Sequence, residues 1–339
     1  MRPRGQGADA SRRPGLRTAA DIHPLLRDLA SKAAAEPSLA DLTPEEARAG
    51  ISARTTARGA GPAIDKVADV AIPGLGGDIP ARVYQPVGAA GVVVAFHGGG
   101  WLMGNRDSFD AVCRNLAADS GLAVVNVDYR LAPEHPFPAA IDDAWAATRW
   151  VAEHGAAHGL PVQRLAVMGE SAGGNLAAVV CLLARERRAP KILAQALIYP
   201  ATDARQQAES LRTYAEGYLQ RGADVAHAFR TYALGHGVSP TDWRLSPLLA
   251  PSHADLPPAL VISAECDAVC DDAEAYAAKL SEAGVPATCV RYMGMLHTFY
   301  GMRGTLDTAA LAQRQVADML RTAILRDITA PASSPAQIG

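Results

Sequence analysis

The chain has 339 residues, 49% of them apolar and 20% charged, with a formal net charge of −3 and an isoelectric point near 6.3. That length and apolar content suit one large α/β unit with a small appended cap. The weakly acidic balance, with no Lys/Arg-rich block in the body of the chain, excludes the basic field that holds nucleic acid.

In chain order, residues 1–20 carry Arg2, Arg4, Arg12, Arg13 and Arg17 without the apolar run that a secretory signal or a membrane span requires. They read as a flexible tail, and no stable membrane insertion is expected. Within residues 21–60, Pro24 to Gly50 predicts one or two helices. Leu25, Leu26 and Leu29 share a helical face, and Thr43-Pro44-Glu45-Glu46 is a helix-start signal. These helices are expected to cover another layer rather than to form a core.

From about residue 61 to 326 the pattern is that of an α/β domain. Continuous apolar stretches of strand length occur at Val92–Phe96, Ala123–Val127, Leu165–Met168, Ala194–Ile198 and Ala259–Ser263, with a final strand at Thr288–Tyr292. Helical periods lie at Ile141–His154, Ala172–Arg187, Asp272–Ala283 and Thr308–Leu325, giving a mostly parallel sheet covered on both faces. The stretch Ala204–Arg244 is polar, rich in Tyr and Gly and without a strand pattern, and is expected to be a cap insertion that roofs a pocket. Residues 327–339, with Pro331 and Ser333-Ser334-Pro335, read as a second flexible tail.

Cysteine usage points to the compartment. Cys113, Cys181, Cys266, Cys270 and Cys289 are odd in number and scattered, which argues for reduced thiols in a cytoplasmic protein. No metal is expected: Cys266 and Cys270 lack a second ligand cluster, and His154 and His158, four apart on one helix face, lack a third ligand.

The chemistry concentrates in four places. Gly169-Glu170-Ser171-Ala172-Gly173, between a strand and a helix, has the form of a nucleophile elbow, with glycines where side chains would collide. His297, just after the last strand, lies at the carboxyl edge of the sheet, where a neutral imidazole can take the hydroxyl proton of Ser171. Of the four carboxylates Glu265, Asp267, Asp271 and Asp272, Asp267 follows a strand directly, whereas Asp271 and Asp272 suit the first turn of a helix. The order serine, acid, histidine is that of α/β hydrolases. His97-Gly98-Gly99-Gly100-Trp101 supplies backbone N–H groups at Gly98 and Gly99 which, with that of Ala172, would form an oxyanion hole. His97 itself is expected to support the loop.

Together with Asp128-Tyr129-Arg130-Leu131-Ala132-Pro133-Glu134-His135-Pro136-Phe137-Pro138-Ala139-Ala140, read as a structural loop, these motifs resemble the bacterial hormone-sensitive-lipase-like carboxylesterases of the α/β-hydrolase fold, from about Val92 to Phe299. The resemblance implies hydrolysis of short- and medium-chain acyl esters without a cofactor, catalytic roles for Ser171, Asp267 and His297, and an oxyanion hole at Gly98, Gly99 and Ala172. Family members are often dimeric, so a homodimer is among the expectations. An amidase or a lipase on the same triad is the nearest alternative reading, and a ligand receptor that has lost a triad member a further one. Three positions depart from the common pattern: Glu170 before the serine, Ala268-Val269-Cys270 after the acid, and Thr298 after the histidine. They bear on pocket shape and acyl-chain preference.

Overall fold

The computed structural model describes residues 22–56, 59–216 and 218–329, so the expected tail over 1–20 and the last ten residues of the other lie outside the described residues. The chain opens with α1 (Pro24–Ala35) and α2 (Pro44–Thr56), joined through a 3-10 turn at Leu39–Asp41. The helix-start signal works as read: Thr43 N donates to Glu46 Oε2 at 2.8 Å and Glu46 N donates to Thr43 Oγ1 at 3.2 Å.

Strands β1 (Lys66–Gly74) and β2 (Gly77–Gln85) form an antiparallel hairpin. There follow β3 (Val92–Phe96), α3 (Asp110–Ser120), β4 (Ala123–Val127), α4 (Ala139–His154), β5 (Leu165–Glu170), α5 (Ala172–Arg187) and β6 (Ile192–Ile198). The inserted segment holds α6 (Ser210–Thr213) and α7 (Gly222–Tyr232), and the chain closes with β7 (Ala259–Cys266), α8 (Cys270–Glu282), β8 (Ala287–Leu296) and α9 (Asp307–Thr329). All six expected strands are present. The last helix runs through Thr329, past the expected boundary at 326.

The eight strands form one sheet in the order β1-β2-β4-β3-β5-β6-β7-β8. β2 pairs antiparallel with β4, and from β4 to β8 every pair is parallel. Buried on both faces, the central strands are largely apolar, with Asn126 of β4 and Gln195 of β6 among the buried polar exceptions, and their alternating side chains feed two cores. Val92, Val94 and Phe96 pack with Ala144, Leu176 and Tyr276 of α4, α5 and α8. Val93 and Ala95 pack on the other face with Leu116 of α3 and Val316 of α9, where Leu26 and Ala30 of α1 join them.

The N-terminal helices are clasped to α7 by polar links. Asp224 Oδ1 accepts from Ser38 Oγ at 2.9 Å and from Leu39 N at 2.8 Å, while the Arg221 guanidinium donates to the carbonyls of Ala33 at 2.7 Å and Glu36 at 2.6 Å. Arg48 of α2 donates to the carbonyls of Leu102 and Ala132 and makes a two-pronged ion pair with Glu134.

One local reading needs correction. His154 and His158 do not share a helix face: α4 ends at His154, a 3-10 turn spans Gly155–His158, and both imidazoles lean on the Trp150 ring. No disulfide joins the five cysteines. Among the described residues no helix is long and apolar enough to cross a membrane.

Candidate active site

Parallel pairing gathers the chemistry. β3 ends at Phe96, β5 at Glu170, β7 at Cys266 and β8 at Leu296, so the glycine run, Ser171, Asp267 and His297 each begin at the first residue past a strand. Because those strands are parallel, the four loops share the carboxyl edge of one sheet. Residues separated by 126 and 30 positions thereby come into contact: His297 Nε2 lies 2.9 Å from Ser171 Oγ, and His297 Nδ1 lies 2.7 Å from Asp267 Oδ2. An ionised carboxylate only accepts, so Nδ1 carries the imidazole proton and the Nε2 lone pair faces the serine hydroxyl. Asp267 is 1%, His297 4% and Ser171 7% exposed, which keeps these hydrogen bonds free of competing water.

The turn at Ser171 has φ 56° and ψ −117°, a strained conformation for a residue with a side chain. It demands glycine on either side. A Cβ at Gly169 would lie 2.0 Å from Gly173 O, and one at Gly173 would lie 2.1 Å from Phe96 O. Immediately after the serine, α5 starts, and its N-terminal amides and dipole point at the site.

The glycine run crosses directly against the elbow: a Cβ at Gly98 would meet Glu170 O at 3.2 Å and Ser171 Cβ at 3.5 Å. His97 holds this loop from beneath. Its Nδ1 is 2.8 Å from Gly98 O, its ring stacks on Tyr129 at 4.2 Å, and Tyr129 Oη donates to His97 O at 2.7 Å. Burial pushes the His97 imidazole down to about 4, so it is a neutral strut at ordinary pH. Tyr129 belongs to the loop read as structural, and that loop also braces the glycine run through Ala132 N, which donates to Trp101 O.

Each of the competing carboxylates has separate employment. Glu265 Oε2 accepts from Gly294 N at 2.7 Å, and Asp271 Oδ2 accepts from Ser210 N at 2.8 Å. Asp271 and Asp272 lie in the first turn of α8, as read; Asp272 is buried, and burial, with Asp203 nearby, raises its carboxyl to about 8. Asp267 alone of the four touches His297, and its second oxygen accepts from Val269 N at 3.1 Å.

Above these groups is a cavity of about 550 Å³, the size of a pocket for a small organic molecule. Its floor is Gly98, Gly99, Ser171 and His297. Its walls are Leu25, Leu29 and Ile51 from the N-terminal helices and Val225 and Phe229 from α7. Sequence reasoning marked Glu170 only as a departure that bears on pocket shape, and missed Tyr199. Glu170 lies in the cavity wall and accepts a 2.7 Å hydrogen bond from Tyr199 Oη, and the Tyr199 ring lies against the imidazole of His297.

A doubly covered parallel sheet with serine, histidine and aspartate aligned at its carboxyl edge, beneath an apolar cavity, defines an α/β hydrolase. The family described as the alpha/beta hydrolase fold matches residues 93–301, close to the span over which the sequence motifs run. The chain is 42% identical over 268 residues to carboxylic ester hydrolase LipN of Mycobacterium tuberculosis, covering 77% of this chain and 71% of that one. It is 39% identical to the ethyl acetate hydrolase of Pseudomonas putida, over 69% of this chain and 75% of that protein. The structure of an ester hydrolase from the metagenome of Lake Arreo superposes with a TM-score of 0.84 at 36% identity, covering 89% of this chain and 98% of that one. The chain belongs to the bacterial hormone-sensitive-lipase-like carboxylesterases.

Proposed function

We propose that this carboxylesterase hydrolyses short- to medium-chain acyl esters through an acyl-enzyme on Ser171, with His297 as general base and acid and Asp267 as its orienting carboxylate. The observation that carries the reading is the unbroken row from Asp267 Oδ2 through His297 to Ser171 Oγ, at 2.7 and 2.9 Å. Nε2 takes the hydroxyl proton as Oγ bonds to the ester carbonyl carbon, and the resulting imidazolium is stabilised by Asp267. Collapse of the tetrahedral intermediate breaks the ester C–O bond, and the imidazolium returns the proton to the leaving alcohol. Water then repeats the cycle to release the acid.

The oxyanion is assigned to the N–H groups of Gly98, Gly99 and Ala172, supported by the contact between the glycine run and the elbow. We read α1, α2 and the 204–244 insertion as one cap over the catalytic domain, supported by the clasp at Asp224 and Arg221 and by their shared lining of the cavity. The cavity volume and the ethyl acetate hydrolase relative support small esters over long-chain lipids. Five cysteines without a disulfide support a cytoplasmic setting. A homodimer, suggested by the family resemblance alone, is checked by sedimentation.

The test is hydrolysis of a p-nitrophenyl ester series from acetate to palmitate by the native protein and Ser171→Ala. The expected result is turnover that peaks at short to medium chains and falls at least about 10⁴-fold in the variant. Turnover that survives in Ser171→Ala would remove the serine from its assigned role.

A further inference from the structure

Glu170 is a buried carboxyl, 7% exposed, beside the nucleophile, and the triad chemistry does not use it. Its Oε1 accepts the Tyr199 hydroxyl at 2.7 Å. Tyr199, the first residue past β6, is itself wholly buried and sits at φ 33°, a left-handed conformation that a tyrosine adopts only when its surroundings hold it. Its N–H donates to Ile262 O at 2.6 Å. The ring thus fixed lies 4.6 Å from the His297 ring at an interplanar angle of 50°, and 5.9 Å from Phe299.

Asp267 holds His297 by a single atom, Nδ1. One hydrogen bond sets the direction of the imidazole but leaves the ring free to tilt about the line from Nδ1 to Oδ2, and tilt swings Nε2 away from Ser171 Oγ. A flat, immobile group on one face of the imidazole removes that freedom. We propose that Glu170 and Tyr199 are positioning residues for His297: the Glu170 carboxylate tethers the phenol that limits imidazole tilt, and its charge favours the imidazolium formed during reaction. The inference rests on the reading of His297 as the base.

Tyr199 bonds Glu170, and Tyr300 and Tyr129 lie close enough to feel its charge. Burial, with the Glu170 charge contributing, holds the phenols of Tyr300 and Tyr129 well above their usual range, so neither ionises in the working pH interval. On the His297 side the facing groups are Asp267, Ser171 and the Tyr199 phenol itself. A change in charge at Glu170 is therefore read by His297 without interference from these phenols.

The experiment measures kcat and KM for p-nitrophenyl butyrate from pH 4.5 to 9, with melting temperatures, for native protein, Glu170→Gln, Tyr199→Phe and His297→Ala. Glu170→Gln keeps an acceptor for the tyrosine and removes only the charge. It should move the acid limb of kcat/KM about half a pH unit lower, because the imidazolium loses a favourable neighbour, and lower kcat about three- to tenfold. Tyr199→Phe keeps the ring and releases the tether, so kcat should fall about threefold at unchanged KM while the limb moves less than in Glu170→Gln. A lowered kcat with an unmoved limb in Glu170→Gln is what a purely structural carboxyl gives and overturns the proposal, as does native kcat in both variants. Should Glu170→Gln fail to fold, Tyr199→Phe alone decides: native kcat at native KM overturns it. Activity retained in His297→Ala is a different failure, that of the base assignment itself, and the inference falls with it.

Discussion

Gly99→Ala tests the oxyanion assignment at one backbone position. Gly99 has φ +127°, and a Cβ there would lie 2.1 Å from the Met103 carbonyl oxygen and 2.6 Å from its carbon. Met103 cannot simply rotate away, because its own N–H and that of Leu102 both donate to Gly99 O, at 3.0 and 3.1 Å. Relief of the overlap needs a displacement of about 1 Å in a close-packed loop. An N–H that donates at about 2.9 Å is carried out of hydrogen-bond range by that movement. One oxyanion donor is then lost, and kcat should fall about 10²–10³-fold with KM within about threefold of native. The matched control is Gly121→Ala, at φ +67° with nothing within 4 Å of the new Cβ: it carries the left-handed strain, about 1–2 kcal/mol of stability, and should leave kcat alone. Rates are normalised to active sites titrated with a phosphonate ester. If Gly99→Ala turns over within threefold of native while Gly121→Ala behaves as stated, the glycine run is not the oxyanion hole.

Three further outcomes follow from particular side chains. The Asp272 carboxyl titrates near 8 in the fold against about 3.9 when unfolded, so its contribution to stability is complete below about pH 4 and is lost as pH rises through 8. Asp272→Asn should therefore melt like native at pH 4 and about 10 °C or more above it at pH 8.5, since moving a carboxyl from about 3.9 to about 8 is worth about 5 kcal/mol, at about 2–4 °C per kcal/mol; equal melting at pH 8.5 rejects the buried-carboxyl argument. Arg48→Met removes the donors to Leu102 O and Ala132 O and the partner of Glu134; about 1–2 kcal/mol of stability should go, with KM rising more for hexanoate than for acetate esters because α2 walls the cavity, and a KM change equal for both chain lengths argues against that placement. Because the reacting groups are serine, histidine and carboxylate, dialysis against EDTA should leave turnover unchanged, and a loss restored by a divalent cation would refute a metal-free mechanism.

What was legible in the sequence is what local backbone physics writes there. Gly169, Ser171 and Gly173 are legible because a strand that turns sharply into a helix excludes Cβ atoms at both glycines, and His97 to Gly100 because amides must approach a substrate unobstructed. The parallel strands are legible because burial on both faces leaves runs that are mostly apolar, interrupted by single polar residues such as Asn126 and Gln195. The hairpin β1–β2 escaped because its outer strand is largely exposed and, although its burial alternates, Val67 and Ala71 on the exposed side blur the pattern in the sequence. Helix α3 escaped although Val112, Cys113, Leu116 and Ala117 share a face and Gly121 closes it, since polar residues interrupt the run. Glu170 reads as a mere variation on a motif until Tyr199, 29 residues away, is seen beneath it. Arg48 and Glu134, 86 residues apart, likewise leave no periodic trace. Pairings made by tertiary structure have no local signature to find.

The division between machinery and pocket follows from the same topology. Every group that touches the reacting atoms in the proposed mechanism stands at the end of a strand or the start of α5, where displacement would disturb a sheet buried on both faces. Much of the apolar wall of the cavity, Leu25, Leu29, Ile51, Val225 and Phe229, stands on α1, α2 and α7. Those helices are held to one another by Asp224 and Arg221, and α2 to the body through Arg48. Substitutions on these helices can therefore reshape the pocket without moving Ser171 relative to His297, whereas substitutions at the strand ends act next to the reacting groups. Chain-length preference and turnover should accordingly vary independently among variants of α1, α2 and α7, and together among variants of residues 97–100, 170–172 and 267.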